Sequence, residues 1–440
     1  MRDLLLVLIV IGSVPVTLIR PQVGILMWFW LSLMNPHRLT WGYAYQLHVA
    51  LIVGGATLVA WLFSRESKRP PSTPLTYTLA AFTFWVSFST IFALVPADAF
   101  QKWQEIIKIL GMTFVTMCIV NSRERIYQLV WVIAISLGFY GFRGGIFGLL
   151  TGGNYRVWGP PDSFIADNNQ LALALIMTLP LLNYLRLMAM RRWVQLGLLS
   201  AIGFTIISIL CSYSRGAFLS LIITLVALWL KTRHRLVTAL ATLGVLACAL
   251  FWLPASWYDR MNTITNYEHD SSAQGRLTAW SFAIKLAVNH PLVGGGLEVN
   301  SDKSVYQRYE GNLERFQNFH SIYFQVLAEN GFIGLGLFLL LISSSLATAR
   351  WIIRRTRDRP DLAWANLLAG SIQVSIVGYC VAGAFLNLGF YDLYYALIAV
   401  LASTRAVVAK EVASQRRISS NSPEEILVRD VAAESIAKSA

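Results

Sequence analysis

Residues 126–150 read IYQLVWVIAISLGFYGFRGGIFGLL, and Arg143 is the one charge in the run. A helix rises 1.5 Å per residue, so 25 residues reach about 37 Å, against a bilayer hydrocarbon core about 30 Å thick. The run is read as a membrane span. Twelve more apolar runs flank it, at 3–19, 21–35, 46–63, 74–95, 103–120, 168–187, 193–212, 216–230, 236–254, 332–349, 364–387 and 390–405. Of the 440 residues, 56% are hydrophobic and 13% charged, and the mean hydropathy is +0.55. Soluble domains carry about 25% charged residues. That composition excludes a water-soluble enzyme, a coiled coil and a disordered chain. The expected fold is all-α, a polytopic integral membrane protein with about 12 transmembrane helices (12–13). The first two runs are short for full spans, which suits a re-entrant or tilted pair.

The net charge is +13. A nucleic-acid partner is one reading, but basic loops on one membrane side account for the charge. Segments 64–74, 121–126, 186–192, 231–235, 350–359 and 405–440 hold 22 Lys and Arg, and the alternating segments 36–46, 96–105, 151–167, 213–216 and 254–320 hold 10. The positive-inside rule then makes the C-terminus cytoplasmic and places the long 254–320 segment outside. Thirteen spans put Met1 outside and twelve put it inside.

Four regions are expected: transmembrane helices over 1–253, an outer loop with amphipathic helices over 254–320 (periplasmic under the resemblance described below), further transmembrane helices over 321–408, and a polar cytoplasmic tail over 409–440. In the loop, Trp257, Trp280, Phe282, Tyr306, Tyr309 and Phe316 can pack a small structure. Arg276–Val288 has helical apolar spacing, ended by Asn289, His290 and Pro291 and followed by Gly294-Gly295-Gly296. Cys118, Cys211, Cys248 and Cys380 show no C-x-x-C spacing and are read as buried free thiols. No cleavable signal peptide and no internal repeat is evident, and the latter weighs against many transporter folds.

Ionisable groups at membrane depth or at helix ends are the candidates for chemistry. Arg215, in Ser212-Tyr213-Ser214-Arg215-Gly216, either snorkels to headgroups or binds a planar anion such as phosphate. Arg276 is either a solvated charge or an anion binder at a helix start, where backbone N–H groups assist. His320, in Gln317-Asn318-Phe319-His320-Ser321, stands where the loop re-enters the membrane and suits a general base. His37, His48, His269 and His290 are alternatives on the same side, and His234 is cytoplasmic. Asp167-Asn168-Asn169 reads as a helix N-cap after a loop containing Arg156, a role compatible with substrate binding. Arg143 is expected to face an internal cavity. No Walker A sequence, H-x-x-x-H pair or D-x-D occurs, so no metal is suggested, and no outer acidic pair points to glycoside hydrolysis.

These residues carry a resemblance. From Ser212 to about Leu340 the chain resembles the O-antigen ligase/polymerase superfamily of bacterial envelope glycosyltransferases. The matching words are Ser214-Arg215-Gly216, Gly275-Arg276 with Trp280, Pro291-Leu292-Val293-Gly294-Gly295-Gly296, His320-Ser321 and Glu329-Asn330-Gly331. The N-terminal half resembles O-glycosylation ligases found with exosortase systems. Its words are Met34-Asn35-Pro36-His37-Arg38-Leu39-Thr40-Trp41, Gly138-Phe139-Tyr140-Gly141, Tyr155-Arg156-Val157-Trp158-Gly159-Pro160-Pro161 and Asp167-Asn168-Asn169.

The resemblance implies a GT-C-like, inverting, metal-independent transferase of the bacterial inner membrane, with a periplasmic active site and no cofactor. The implied donor is a glycan on undecaprenyl diphosphate, and the acceptor a hydroxyl of lipid A core. His320 would be the catalytic base, and Arg215 and Arg276 would bind the diphosphate. Arg156, Asp167 and Asn168 are further substrate-binding candidates. Besides donor and acceptor, the partners are membrane lipids and no nucleic acid. The alternatives are an O-antigen polymerase, a protein O-oligosaccharyltransferase and a lipid-linked glycan flippase. Electrostatics favours the transfer reading: arginines stabilise charge that grows on a departing diphosphate more than they stabilise the ground state.

Overall fold

A computed structural model describes residues 1–232, 235–262, 271–310 and 318–420. His234, His269, Phe316 and the tail beyond 420 lie outside the described residues. Sixteen α-helices occur among those described, and no strand. They are α1 (Arg2–Ile19), α2 (Pro21–Met34), α3 (Val49–Phe63), α4 (Pro74–Thr90), α5 (Pro96–Ile119), α6 (Arg123–Leu150), α7 (Asn168–Met188), α8 (Arg192–Leu210), α9 (Arg215–Leu230), α10 (Arg235–Trp252), α11 (Ala255–Asn262), α12 (Ser271–Asn289), α13 (Lys303–Glu310), α14 (Ile322–Thr356), α15 (Ala363–Gly383) and α16 (Asp392–Ser420).

Six of these are long and apolar enough to cross a membrane: α1, α6, α7, α8, α14, and α15 with the turn before it. Helices α2, α3 and α9 are apolar but shorter. Helix α5 carries Asp98, Lys102, Glu105 and Lys108, and α4 is rich in Ser and Thr, which lowers the apolar content of both. Apolar side chains nonetheless stand on the outside. Leu4, Leu5, Leu8 and Ile11 of α1 are each about 60% exposed. In water such a surface would be unfavourable, and in lipid it is the solvent-matched one. The chain is a multi-pass membrane protein.

Helix α7 lies at the centre, packed against α6, α8, α9 and α15, and almost every side chain from Leu171 to Leu185 is buried. Helix α2 runs parallel to α6: Gln22 meets Gln128 near their starts, and the Tyr140 hydroxyl donates to the Met34 carbonyl near their far ends. Helix α1 returns antiparallel to α2, and Asp3 Oδ1 accepts from the N–H groups of Gly42 and Ala44 at 3.1 Å each. The amino terminus therefore sits at the same end of the bundle as the 35–48 segment. Tyr45 there donates to Asp162 Oδ2 at 2.6 Å, which brings the 151–167 loop to that end as well. At the opposite end Arg125 pairs with Glu66 at 2.8 Å, and Gln415 donates to Asp361 at 3.2 Å.

The four cysteines are free. Cys118 and Cys211 are buried and Cys380 is half-buried. Cys248 departs from expectation and is exposed, because α10 lies at the edge of the bundle beside α9. Helices α12 and α13 have a small core of their own, in which Phe282, Leu286, Val299, Tyr306 and Phe319 meet Ala328 of α14.

Candidate active site

A cavity of about 320 Å³ opens where α7 and α9 begin. Arg156, Asp167, Asn168, Arg215, Arg276 and His320 all line it, so the structure brings together the six residues that the sequence singled out. Arg260, Tyr213, Asn318 and Asn387 complete much of the wall.

Local rules place each group. Asp167 caps α7: its Oδ1 accepts from Asn169 N–H at 2.8 Å, and Gln170 Oε1 accepts from Asp167 N–H at 3.3 Å. This reciprocal arrangement satisfies donors that a helix start leaves open. The buried Asn168 donates through Nδ2 to the Ser212 carbonyl at 2.6 Å. Ser214 caps α9, its hydroxyl accepting from Ala217 N–H at 3.2 Å, so Arg215 is the first helical residue. The Tyr213 hydroxyl donates to the Gly153 carbonyl at 2.7 Å, and Val157 N–H donates to the Cys211 carbonyl at 3.1 Å. Arg156 is thereby held beside the turn that carries Arg215. The starts of α7 and α9 also point their positive dipole ends into the cavity, which favours an anion there.

Arg276 departs from expectation in one respect. Helix α12 begins at Ser271, so Arg276 lies a turn and a half inside it. Only the first four N–H groups of a helix are open. Any anion contact at Arg276 is therefore through its guanidinium and not through a helix start.

His320 sits between buried Phe319 and buried Ser321 with φ +45°. Left-handed backbone at a non-glycine residue costs about 1–3 kcal/mol and persists where the surroundings impose it. Trp280 imposes it here. Its indole N–H donates to the Phe319 carbonyl at 2.9 Å, and its ring stacks on Phe324 at 4.9 Å. Burial pushes the His320 imidazole below its ordinary range, and the Arg276 guanidinium adds to the shift, with the Asp167 carboxylate opposing it. The ring is then neutral at pH 7, the form a base requires. Neither His37, His48 nor His290 lines the cavity.

The remaining family words make a joint rather than a site. Gly295 N–H donates to the Ala328 carbonyl at 2.8 Å, Gly296 N–H to the Glu329 carbonyl at 3.0 Å, and Phe332 N–H to the Pro291 carbonyl at 2.9 Å. Gly331, at φ +69° and ψ −171°, breaks α14 at that point. Asn330 Oδ1 accepts from the Ser89 hydroxyl at 2.9 Å, which ties the joint to α4.

Sequence reasoning passed over Arg260. Its signal was a cation beside Trp257, whose indole N–H donates to the Leu210 carbonyl at 3.0 Å and so docks α11 against the Arg215 turn. Asn387 was also missed. Its signal was an amide in an otherwise apolar stretch, and its buried Oδ1 has no hydrogen-bond partner among the described residues.

Residues 199–339 match the family model of O-antigen ligase. This stretch is an O-antigen ligase family domain. Residues 1–190 match a family of unknown function, DUF5935. No curated protein matches the chain. A ligase- or polymerase-type function accompanies the ligase-family domain, together with a lipid-linked glycan and an acceptor as general partners. Arg215, Arg260, Arg276 and His320 belong to the ligase-family domain, whereas Arg156, Asp167 and Asn168 belong to the N-terminal region and Asn387 lies beyond both. The cavity is thus shared between the matched regions.

Proposed function

We propose that the protein is an O-antigen ligase that transfers a glycan from undecaprenyl diphosphate to a hydroxyl of lipid A core, inverting the anomeric centre without a metal. One observation carries this reading: Arg156, Arg215, Arg260 and Arg276 share a single cavity with His320, whose pKa is lowered by burial and by Arg276. Four guanidinium groups suit a diphosphate, which each can contact through two parallel N–H donors.

The acceptor hydroxyl gives its proton to His320 as its oxygen forms the new bond to the anomeric carbon. The anomeric carbon–oxygen bond to the diphosphate breaks on the opposite face. The electron pair leaves with the diphosphate, whose added charge falls among the arginines. Charge that grows during the step is stabilised more than charge already present, which is the condition for rate enhancement. Both substrates are lipid-anchored, so they meet in one plane at reduced entropic cost. Under this reading the protein lies in the bacterial inner membrane, with the cavity on the periplasmic face and the C-terminus in the cytoplasm. The excess of Lys and Arg in the segments at the opposite end supports that orientation.

The test is transfer by purified protein in liposomes with EDTA present, supplied with undecaprenyl-diphosphate-linked glycan and one of three acceptors: lipid A core, free repeat unit or a pilin-like protein. Product on lipid A core from wild type, and none from His320→Ala, is the expected result. Product on another acceptor alone would replace ligase by polymerase or protein transferase. Equal product from wild type and variant would remove His320 from its role.

A further inference from the structure

A second opening, of about 490 Å³, lies between α1, α2, α6 and the 36–40 segment, and shares no residue with the cavity above. Two arginines line it, Arg2 and Arg143, with no acidic residue in the wall. Neither makes a hydrogen bond or ion pair among the described residues. Arg143 was expected inside an internal cavity. The structure instead exposes it on α6. It is the one charge in the 126–150 run, seven residues before the end of α6 at Leu150. Those seven residues amount to about 10 Å, which places Arg143 about two turns from the end of the helix. Between the two cations the wall is apolar: Leu5 and Ile9 of α1, Trp30 of α2 and Phe139 of α6. Leu5 is 61% exposed and Ile9 41%.

A cation inside a span is unfavourable unless an opposite charge meets it. Arg2, at the start of α1, adds a second cation to the same groove, and the two repel each other until an anion lies between them. The apolar wall beside them requires that the anion carry hydrocarbon. We propose that this groove binds an anionic phospholipid, with its phosphodiester between Arg2 and Arg143 and its acyl chain along Leu5, Ile9 and Trp30. The site is separate from the transfer cavity and does not depend on the function proposed for that cavity.

The test is lipid retention by the full-length protein, reconstituted in vesicles of phosphatidylcholine and phosphatidylglycerol, extracted into mild detergent and weighed intact by mass spectrometry. Wild type retains phosphatidylglycerol in preference to phosphatidylcholine. Arg143→Gln and Arg2→Gln each lower that retention roughly five-fold, the usual worth of one basic residue against an anionic lipid. Arg143→Lys keeps most of it. Ile9→Trp fills the groove from an exposed position and lowers retention with both arginines intact, which decides the matter if an arginine variant fails to fold. Arg215→Ala leaves retention unchanged, separating this site from the transfer cavity. Retention in the bulk lipid ratio by wild type, or no loss in the Arg143→Gln and Ile9→Trp proteins, overturns the proposal. Displacement of phosphatidylglycerol by millimolar inorganic phosphate would assign the groove to a small free anion and overturn it equally.

Discussion

Asn168 Nδ2 donates to the Ser212 carbonyl at 2.6 Å, and this bond fastens the start of α7 to the turn that launches α9. The two residues are 44 positions apart and come from different matched regions. Asn168 is 4% exposed and Ser212 1%, so water does not replace the bond when it is lost. Asn168→Ala should destabilise the protein by about 1–3 kcal/mol, the cost of leaving a buried acceptor unpaired. Thermal unfolding in detergent checks this, and transfer activity should fall further than stability because the Arg215 turn loses its anchor. Unchanged unfolding would mean that the turn is held without α7.

The acid limb of the pH–rate profile should report His320. Its folded pKa is depressed by burial and then by Arg276. The limb of kcat/KM should therefore fall below the ordinary histidine value of about 6.5. A bound diphosphate is an anion and favours the protonated ring, so the limb of kcat should lie at higher pH than that of kcat/KM. Arg276→Gln removes a depressing charge and should move the kcat/KM limb upward. The stability sign follows from the same shift. A depressed folded pKa means that the unfolded chain takes up the proton first, so the neutral buried ring is favourable above about pH 6.5, and stability is lost as pH falls toward the folded value. An acid limb above 6.5 in kcat/KM would count against His320 as the base.

Arg215→Ala and Arg276→Ala should each lower kcat by roughly 10²-fold, the usual effect of losing one donor to developing charge. Arg215→Lys should recover only part of the loss, since an ammonium lacks the planar pair of donors. Steady-state kinetics with the diphosphate donor at saturation separates this from weaker binding. Rises in KM alone would place the arginines in ground-state binding.

Much of the site was legible because its residues violate local expectation. Arginine and histidine at the ends of apolar runs are conspicuous, and the capping pattern at Asp167 is readable from three consecutive residues. Other features depend on contacts between distant segments. Arg260 becomes a wall residue only once Trp257 docks on Leu210, and Asn387 only once the α15–α16 turn closes over α9. The start of α12 was misjudged because Gly275 looks like a boundary, whereas the helix runs through it from Ser271. Hydropathy marks apolar runs, but α4 and α5 mix in Ser, Thr and charged residues.

The glycine words predict a stability phenotype without a direct chemical one. Gly294 and Gly331 both have φ +69°, a region that other residues enter at a cost. A Cβ on Gly294 would stand 2.5 Å from the Ala328 carbonyl oxygen, and one on Gly331 would stand 2.2 Å from that of Leu292. Both obstacles are backbone, which a rotamer change cannot move. Gly331→Ala should therefore pry the 291–296 segment from α14, with loss of the bonds from Gly295 and Gly296 to Ala328 and Glu329. Backbone strain alone contributes about 1–3 kcal/mol. His320 lies two residues before α14, and the Phe319 side chain packs in the same small core as Ala328, so the disturbance should reach the base. Thermal unfolding and hydrogen exchange of the 291–332 region measure the loosening. The expected result is lower unfolding temperature, faster exchange and reduced kcat. A Gly331→Ala protein with wild-type exchange would mean that the two segments can separate at no cost, and the joint would lose its assigned role.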